Sequence, residues 1–249
     1  MKKYLVIIFS GSILFCQTGI DIAKMIDQKS NPKDLKNRIK MVLTNSKGKT
    51  RTNVMLSMSK DNNKKQIIWF LDPRDDRGVA FLKIEHDDKD DEMRMWLPAF
   101  KKVRRISSKK KGDSFMGSDL SYEDLYRRDL SENNYNRLED DFIYGKDCYV
   151  IEIIPKKEAK SSYSRHKSWV EKSSHLILKE ESYDKRKELN KKKQFFFQAI
   201  KNYMVLERIQ VKNVQKDHTT DVTFSEVKVD SGIDNTLFRQ KNLKRIPKL

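Results

Sequence analysis

Glycine (8) and proline (5) are scarce in this chain of 249 residues, and cysteine is scarcer still at 2. Such low glycine and proline exclude collagen-like, Pro-rich and Gly/Ser low-complexity architectures. One of the two cysteines, Cys16, falls inside an N-terminal apolar run. Once that run is removed or acylated, Cys148 has no intrachain partner, so no disulfide framework holds the fold. Cys148 sits in the β-rich stretch 147–154, where a small strand residue is expected rather than a nucleophile. The four histidines, His86, His166, His175 and His218, have neither H-x-x-x-H nor H-E-x-x-H spacing, which leaves no motif for zinc. The G-x-S-x-G elbow, the G-x-G-x-x-G fingerprint and the G-x-x-x-x-G-K-S/T loop are missing as well. Catalytic residues and a metal site are therefore not expected.

Long apolar runs are missing with one exception. Met1-Lys2-Lys3 is followed by a stretch through Cys16 that is apolar all round and shorter than the roughly 20 residues of a membrane-spanning helix. This pattern is that of a secretory signal, which excludes a multi-span membrane protein and predicts export. A cut after Thr18 makes residues 1–18 the signal and 19–249 one mature domain. Cys16 as a lipidated cysteine is the alternative, with Ile13 at the lipobox position and Phe15 larger than that position favours. The expected location is periplasmic, or membrane-anchored in the periplasm if Cys16 is lipidated.

Charge is what the sequence has in abundance. Lys and Arg number 53 against 36 Asp and Glu, a net of +17, and charged residues make up 36% against 37% hydrophobic. Losing the signal takes away Lys2 and Lys3 and no acid. An excess of this size suits phosphate, in anionic lipid headgroups or in nucleic acid. Most of it is dispersed among acids; only 101–111 is a dense basic block.

The apolar residues are organised as strands. Ile22, Met25 and Ile26 at helical spacing predict one short helix over 21–30. Strands are then expected at 35–44 and 50–59 around the turn Asn45-Ser46-Lys47-Gly48, and at 65–71, 79–86, 92–97 and 101–107. Ser121 with Asp124 three residues on has capping-box spacing and predicts a short helix over 121–127. Strands resume at 135–142 and 147–154, joined at Tyr144-Gly145, then at 165–171, 175–183, 192–200, 204–214 and 219–229, before a last helical turn over 234–241. About a dozen hairpin-linked strands with no linker read as one domain. More strands than a filled eight-stranded barrel can pack leave a hollow inside. Ile67, Trp69 and Leu71 share one strand face while Ile68 and Phe70 share the other, so this strand needs apolar surroundings on both sides.

Several blocks then carry a resemblance. Phe70-Leu71-Asp72-Pro73 with Arg77-Gly78-Val79-Ala80, Trp96-Leu97-Pro98, Ser114-Phe115-Met116-Gly117-Ser118-Asp119 and Tyr122-Glu123-Asp124-Leu125 resemble the bacterial outer membrane lipoprotein-sorting family, as do His166 to Val170 and Glu207 to Thr220. The likeness spans roughly 21–242. It implies a mainly β, single-domain, half-open antiparallel barrel like that of the lipoprotein carrier LolA and acceptor LolB. Short helices would form a lid or plug over an apolar cavity, with no catalytic centre and no cofactor. Its implied partners are lipid or lipoprotein acyl chains, an inner-membrane exporter and the outer-membrane surface, with the chain monomeric and nucleic acid not expected. Pro73, Arg77, Gly78, Trp96, Pro98, Gly117, Ser118 and Asp119 are the family-motif positions.

On this reading Trp69, Leu71, Phe81, Met95, Leu97, Phe195 and Phe197 are cavity candidates, and Phe115 and Met116 cover the mouth. Arg77 is the expected partner of Asp119. The Gly117-Ser118 amides are expected to form a turn, with anion capture as the alternative. Two other functions stay open at this point: an exported basic nucleic-acid-binding protein, and an exported hydrolase with an unrecognised site.

Overall fold

The computed structural model describes residues 17–86 and 89–247. The signal's apolar core and Cys16 lie outside the described residues, so the expectations placed on them are not addressed by the fold.

Among the described residues thirteen antiparallel strands form one sheet. In chain order they are β1 (Asp34–Thr44), β2 (Thr50–Lys60), β3 (Lys65–Asp72), β4 (Ala80–Ile84), β5 (Glu92–Leu97), β6 (Lys102–Arg105), β7 (Asn133–Ile143), β8 (Lys146–Pro155), β9 (Arg165–Glu171), β10 (Ile177–Tyr183), β11 (Leu189–Ile200), β12 (Tyr203–Asn213) and β13 (His218–Val229). Each lies at a stretch where the sequence places a strand. The turns follow local chemistry. Asn45 Oδ1 accepts the Lys47 and Lys49 amides at 3.0 Å each, and Gly48 takes φ +75°. Tyr144 and Gly145, with φ of 53° and 76°, form a two-residue hairpin turn with both angles positive, which matches the sheet's twist.

The one α-helix among the described residues, α1 (Gly19–Asp27), starts two residues earlier than its apolar spacing indicates. Thr18 is the reason. Its hydroxyl accepts the Asp21 amide while Asp21 accepts the Thr18 amide at 3.0 Å, a reciprocal cap. Gly19 is pressed against β7: a Cβ there would stand 2.8 Å from backbone atoms of Tyr135 and Asn136. Among the described residues no helix is long and apolar enough to cross a membrane.

The strand order is β6-β5-β4-β3-β2-β1-β13-β12-β11-β10-β9-β8-β7. β6 and β7 follow one another in the chain yet occupy opposite edges of the sheet. The connection between them, residues 106–132, must therefore cross the open side as a strap. In place of the helix expected over 121–127 that part of the strap has one 3-10 turn, Glu123–Leu125, after which Tyr126 is extended (ψ 151°). The Ser121/Asp124 cap does form, with the Ser121 amide 2.8 Å from Asp124 Oδ2. Arg127 and Arg128 beyond it reach different partners, described below. The last helical turn likewise resolves into two 3-10 turns, Asn235–Leu237 and Gln240–Lys244.

Alternation splits the two-sided strands between two cores. Ile39, Met41, Met55, Ile68, Phe70, Phe81, Met93 and Val222 form the concave one, into which the strap inserts Phe115. Leu56, Ile67, Trp69, Ala80 and Leu82 form the outer one, covered by Phe238 and Leu243 of the C-terminal segment. Trp69 Nε1 donates to the Asn242 carbonyl at 3.3 Å and fixes that cover.

Candidate functional site

A cavity of about 1000 Å³ lies on the concave side between sheet, strap and α1. Its walls differ in character. The half formed by β1, β2, β3, β12 and β13 is apolar, with Ile39, Met41, Met55, Ile68, Val222 and the half-buried Ile209 and Phe224. The half toward β9, β10 and β11 carries Tyr163, His166, Glu180 and Lys193, faced by Asp124 and Arg128 of the strap.

These polar groups form one buried network. Lys193 Nζ is 3.1 Å from Glu180 Oε1 and also ion-pairs with Asp124. Lys191 Nζ is 3.0 Å from Asp124 and donates to the Tyr163 hydroxyl at 2.6 Å, which in turn donates to Asp124 at 2.9 Å. Arg128 grips Glu180 with two nitrogens at 2.5 and 2.8 Å, and Ser168 donates to the same carboxylate. Burial pushes the Asp124 carboxyl up, but Lys193 and Lys191 outweigh it and hold it well below its ordinary value. Glu180 is likewise held low against burial by Arg128 and Lys193. His166, 2.9 Å from Ser182 Oγ, is kept neutral by burial and by the nearby Arg128 charge, which depress its pKa well below the usual value. Burial and Asp124 push Tyr163 well up.

The strap is held along its length. Asp119 accepts from His218 Nδ1 and Thr220 Oγ1, both at 2.7 Å. Glu123 accepts the Ser162 amide at 2.7 Å, the fully buried Lys83 donates to the Leu125 carbonyl at 2.7 Å, and Arg127 pairs with Asp27 of α1. The expected Arg77–Asp119 pair does not form. Arg77 sits in the β3–β4 loop, donates to the Leu71 carbonyl at 2.9 Å and lies 4.0 Å from Asp72, because Asp119 is turned inward to β13.

The sequence candidates divide between faces. Phe115 and Phe195 line the cavity; Phe81 and Met95 lie in the concave core behind its wall, with Leu97 and Met116 packed against them. Phe115 is seated in the floor against Phe70, Phe81 and Tyr122, with ring centroids 5.4 to 6.2 Å apart, rather than over a mouth. Trp69 and Leu71 were expected at the cavity but face the other way. Strand alternation gives the concave side to Ile68 and Phe70, leaving Trp69 and Leu71 to the C-terminal cover, where Trp96 also packs. Phe197 packs against Cys148, Val150, Trp169 and Leu178 beside an outer groove that it lines with Tyr144, Phe196 and Met204.

Among the motif positions, Pro73 and Gly78 bound the β3–β4 loop, and Gly78 (φ +86°) abuts Pro98. Gly117 (φ +78°) and Ser118 form a turn in which the Ser118 amide and hydroxyl both donate to the Phe115 carbonyl, which leaves no open amide pair for an anion.

The architecture is a half-open barrel of the LolA type, and the comparisons agree. An outer membrane lipoprotein-sorting domain so assigned in Vibrio parahaemolyticus is 30% identical, with 91% of this chain and 98% of that one covered and a TM-score of 0.85. A DUF1329 family protein from Desulfovibrio piger is 32% identical over 90% and 97%, again with a TM-score of 0.85. A LolA superfamily protein from Nitrosomonas europaea, 18% identical over 91% and 99%, shares the fold with a TM-score of 0.73. A family model described as an uncharacterized protein matches residues 62–245. No curated protein sequence matches. The chain belongs to the outer membrane lipoprotein-sorting family that includes the DUF1329 proteins.

Proposed function

We propose that this protein is a non-enzymatic carrier of lipid or lipoprotein acyl chains, working outside the cytoplasm between the membranes of a diderm bacterium. The observation that carries this reading is the cavity of about 1000 Å³ whose β1–β3 and β12–β13 half is apolar. Hydrocarbon placed there leaves water, and each buried CH₂ contributes about 0.8 kcal/mol. The polar flank suits the end of an amphipathic ligand, since groups fixed in a network offer hydrogen bonds without reorganising. The relatives support the same reading, two of them being assigned to lipoprotein sorting or to the LolA superfamily.

Export rests on the N-terminal signal. Thr18 caps α1, and the Gln17 carbonyl accepts from Arg137 at 3.0 Å, so both residues serve the fold. A cut after Thr18 would remove them; a cut upstream of Gln17 keeps them, and this is the site we propose. Intact-mass analysis of the exported protein reads the N-terminus directly.

The carrier reading is tested by purifying the exported protein from its host, followed by native mass spectrometry and solvent extraction. Co-purifying phospholipid or lipopeptide is expected. Protein that carries no lipid and takes up no fluorescent acyl probe overturns it.

A further inference from the structure

We propose that the β6 edge of the sheet, with the segment that follows it, is a docking surface for anionic phospholipid bilayers.

Between Phe100 and Gly112 the sequence has seven cations and no acid: Lys101, Lys102, Arg104, Arg105, Lys109, Lys110 and Lys111. Structure leaves this charge uncompensated. Lys111 pairs with Asp91 at 3.8 Å; the other six make no ion pair among the described residues. Elsewhere in the fold basic side chains that stand close together often meet acids, as in Arg208–Asp221, Arg137–Asp140 and Arg165–Glu152, and lone unpaired lysines are scattered rather than massed on one edge. The C-terminal segment packed on the neighbouring strands adds to the same edge. Residues 235–247 hold four more cations and no acid, and Lys244 Nζ lies 5.1 Å over the Trp96 ring, opposite Val103 of β6.

Blunting a sheet edge against aggregation takes a lysine or two; this edge carries far more. The register sets Arg105 opposite Arg94, whose charge is already taken by Glu92 at 2.9 Å, so Arg105 gains no acid from the neighbouring strand. An apolar group stands among the charges as well. Phe100 is 61% exposed, with the Arg104 guanidinium 5.5 Å from its ring. An aromatic ring at headgroup level beside lysines that meet anionic phosphates is the arrangement a bilayer surface favours. The backbone of a nucleic acid duplex would offer phosphate but keep its stacked bases from Phe100.

The edge also adjoins the cavity, whose rim includes Arg105, Ile106 and Lys111. Docking there sets the opening beside the membrane. The inference does not depend on what the cavity holds, because vesicle binding is read without any cargo.

The test is co-sedimentation of the exported protein with vesicles of phosphatidylcholine alone or mixed equally with phosphatidylglycerol, at low and high salt. Wild type and variants share one N-terminus, so any anchor is common to all. Binding is expected for the mixed vesicles, weakening with salt as surface charge is screened. Charge reversal at Lys102, Arg104, Lys109 and Lys110 to Glu should lower it by more than about tenfold. The same reversal at the exposed Lys40 of β1, Lys192 of β11, Lys216 of the β12–β13 turn and Lys228 of β13, all away from the β6 edge, should leave most of it. Phe100→Ser, which keeps every charge, should weaken binding while leaving the melting temperature unchanged, and covers the case of a quadruple variant that does not fold. Equal loss in the two quadruple variants, no preference for anionic vesicles, or tighter binding of duplex DNA through the same residues overturns the proposal.

Discussion

Lys193 of β11 stands between two carboxylates from separate parts of the chain, 3.1 Å from Glu180 of β10 and paired with Asp124 of the strap. All three side chains are at most 4% exposed. Removing the cation leaves two buried anions with fewer partners, which costs more than a pair ever contributes. Lys193→Met should therefore destabilise the fold by about 3 kcal/mol, read by chemical denaturation. With Asp124→Asn added, the double variant should lose clearly less than the two single losses combined, since Arg128 still balances Glu180 and the carboxylate that lost Lys193 is gone. Additive losses would show that the strap is not held through this pair.

The same network makes stability depend on pH. Asp124 and Glu180 have folded pKa values held below their unfolded ones, so their contribution is full above the ordinary carboxylate range and is lost as pH falls through the depressed folded values. His166 acts in a higher window. Its folded pKa lies well below the ordinary 6.5, so below about pH 6.5 the unfolded chain binds a proton that the folded chain refuses, and stability falls as pH drops. Wild-type protein should thus lose stability from pH 7 to 5, by up to about 1.4 kcal/mol per unit. His166→Asn, which keeps a polar group toward Ser182, should flatten that slope, as measured by denaturation at a series of pH values.

How much of this was legible beforehand follows from period two. The strands could be read because hydrophobic alternation with turn residues is a local property, and Tyr144-Gly145 or Asn45 to Gly48 announce their hairpins unaided. The faces could not. Trp69 and Phe70 are adjacent, and which of them meets the cavity depends on sheet curvature, a non-local property. The buried network was hidden for a similar reason. Lys191-Lys192-Lys193 reads as a solvated basic run, yet alternation points the outer two inward with Phe195 and only Lys192 outward. Ser121 and Asp124 signalled a cap, and the cap forms. Nothing local could reveal that Asp124 also answers two lysines some 70 positions later, because the strap's path is set by β6 and β7 lying at opposite edges.

The cavity makes its own prediction through a residue that can change without harming the core. Ile209 of β12 is half-buried and lines the apolar half, so a larger ring there projects into open space. Ile209→Trp should lower uptake of a fluorescent fatty acyl probe by more than about tenfold while costing no more than about 1–3 kcal/mol of stability, the range for enlarging a side chain. Unchanged uptake would mean that the chain binds elsewhere, with the outer groove at Phe196 and Met204 the next site to probe.

At the N-terminus, Thr18 and Gly19 act on α1 by different physics. Thr18→Ala removes a reciprocal cap and should cost about 1 kcal/mol. Gly19→Ala keeps the cap but places a methyl 2.8 Å from the β7 backbone at Tyr135 and Asn136, which forces helix and strand apart. The glycine change should therefore be the more damaging of the two, although alanine is the better helix former by roughly 1 kcal/mol. The separation reaches the cavity, because Ala23 and Ile26 on the same helix form part of its wall. Gly19→Ala should lower both stability and acyl-probe uptake, whereas Thr18→Ala should lower stability with uptake nearly intact. Denaturation and probe titration on the two variants separate these outcomes, and an uptake loss equal in both would show that α1 shapes the cavity only through its own stability.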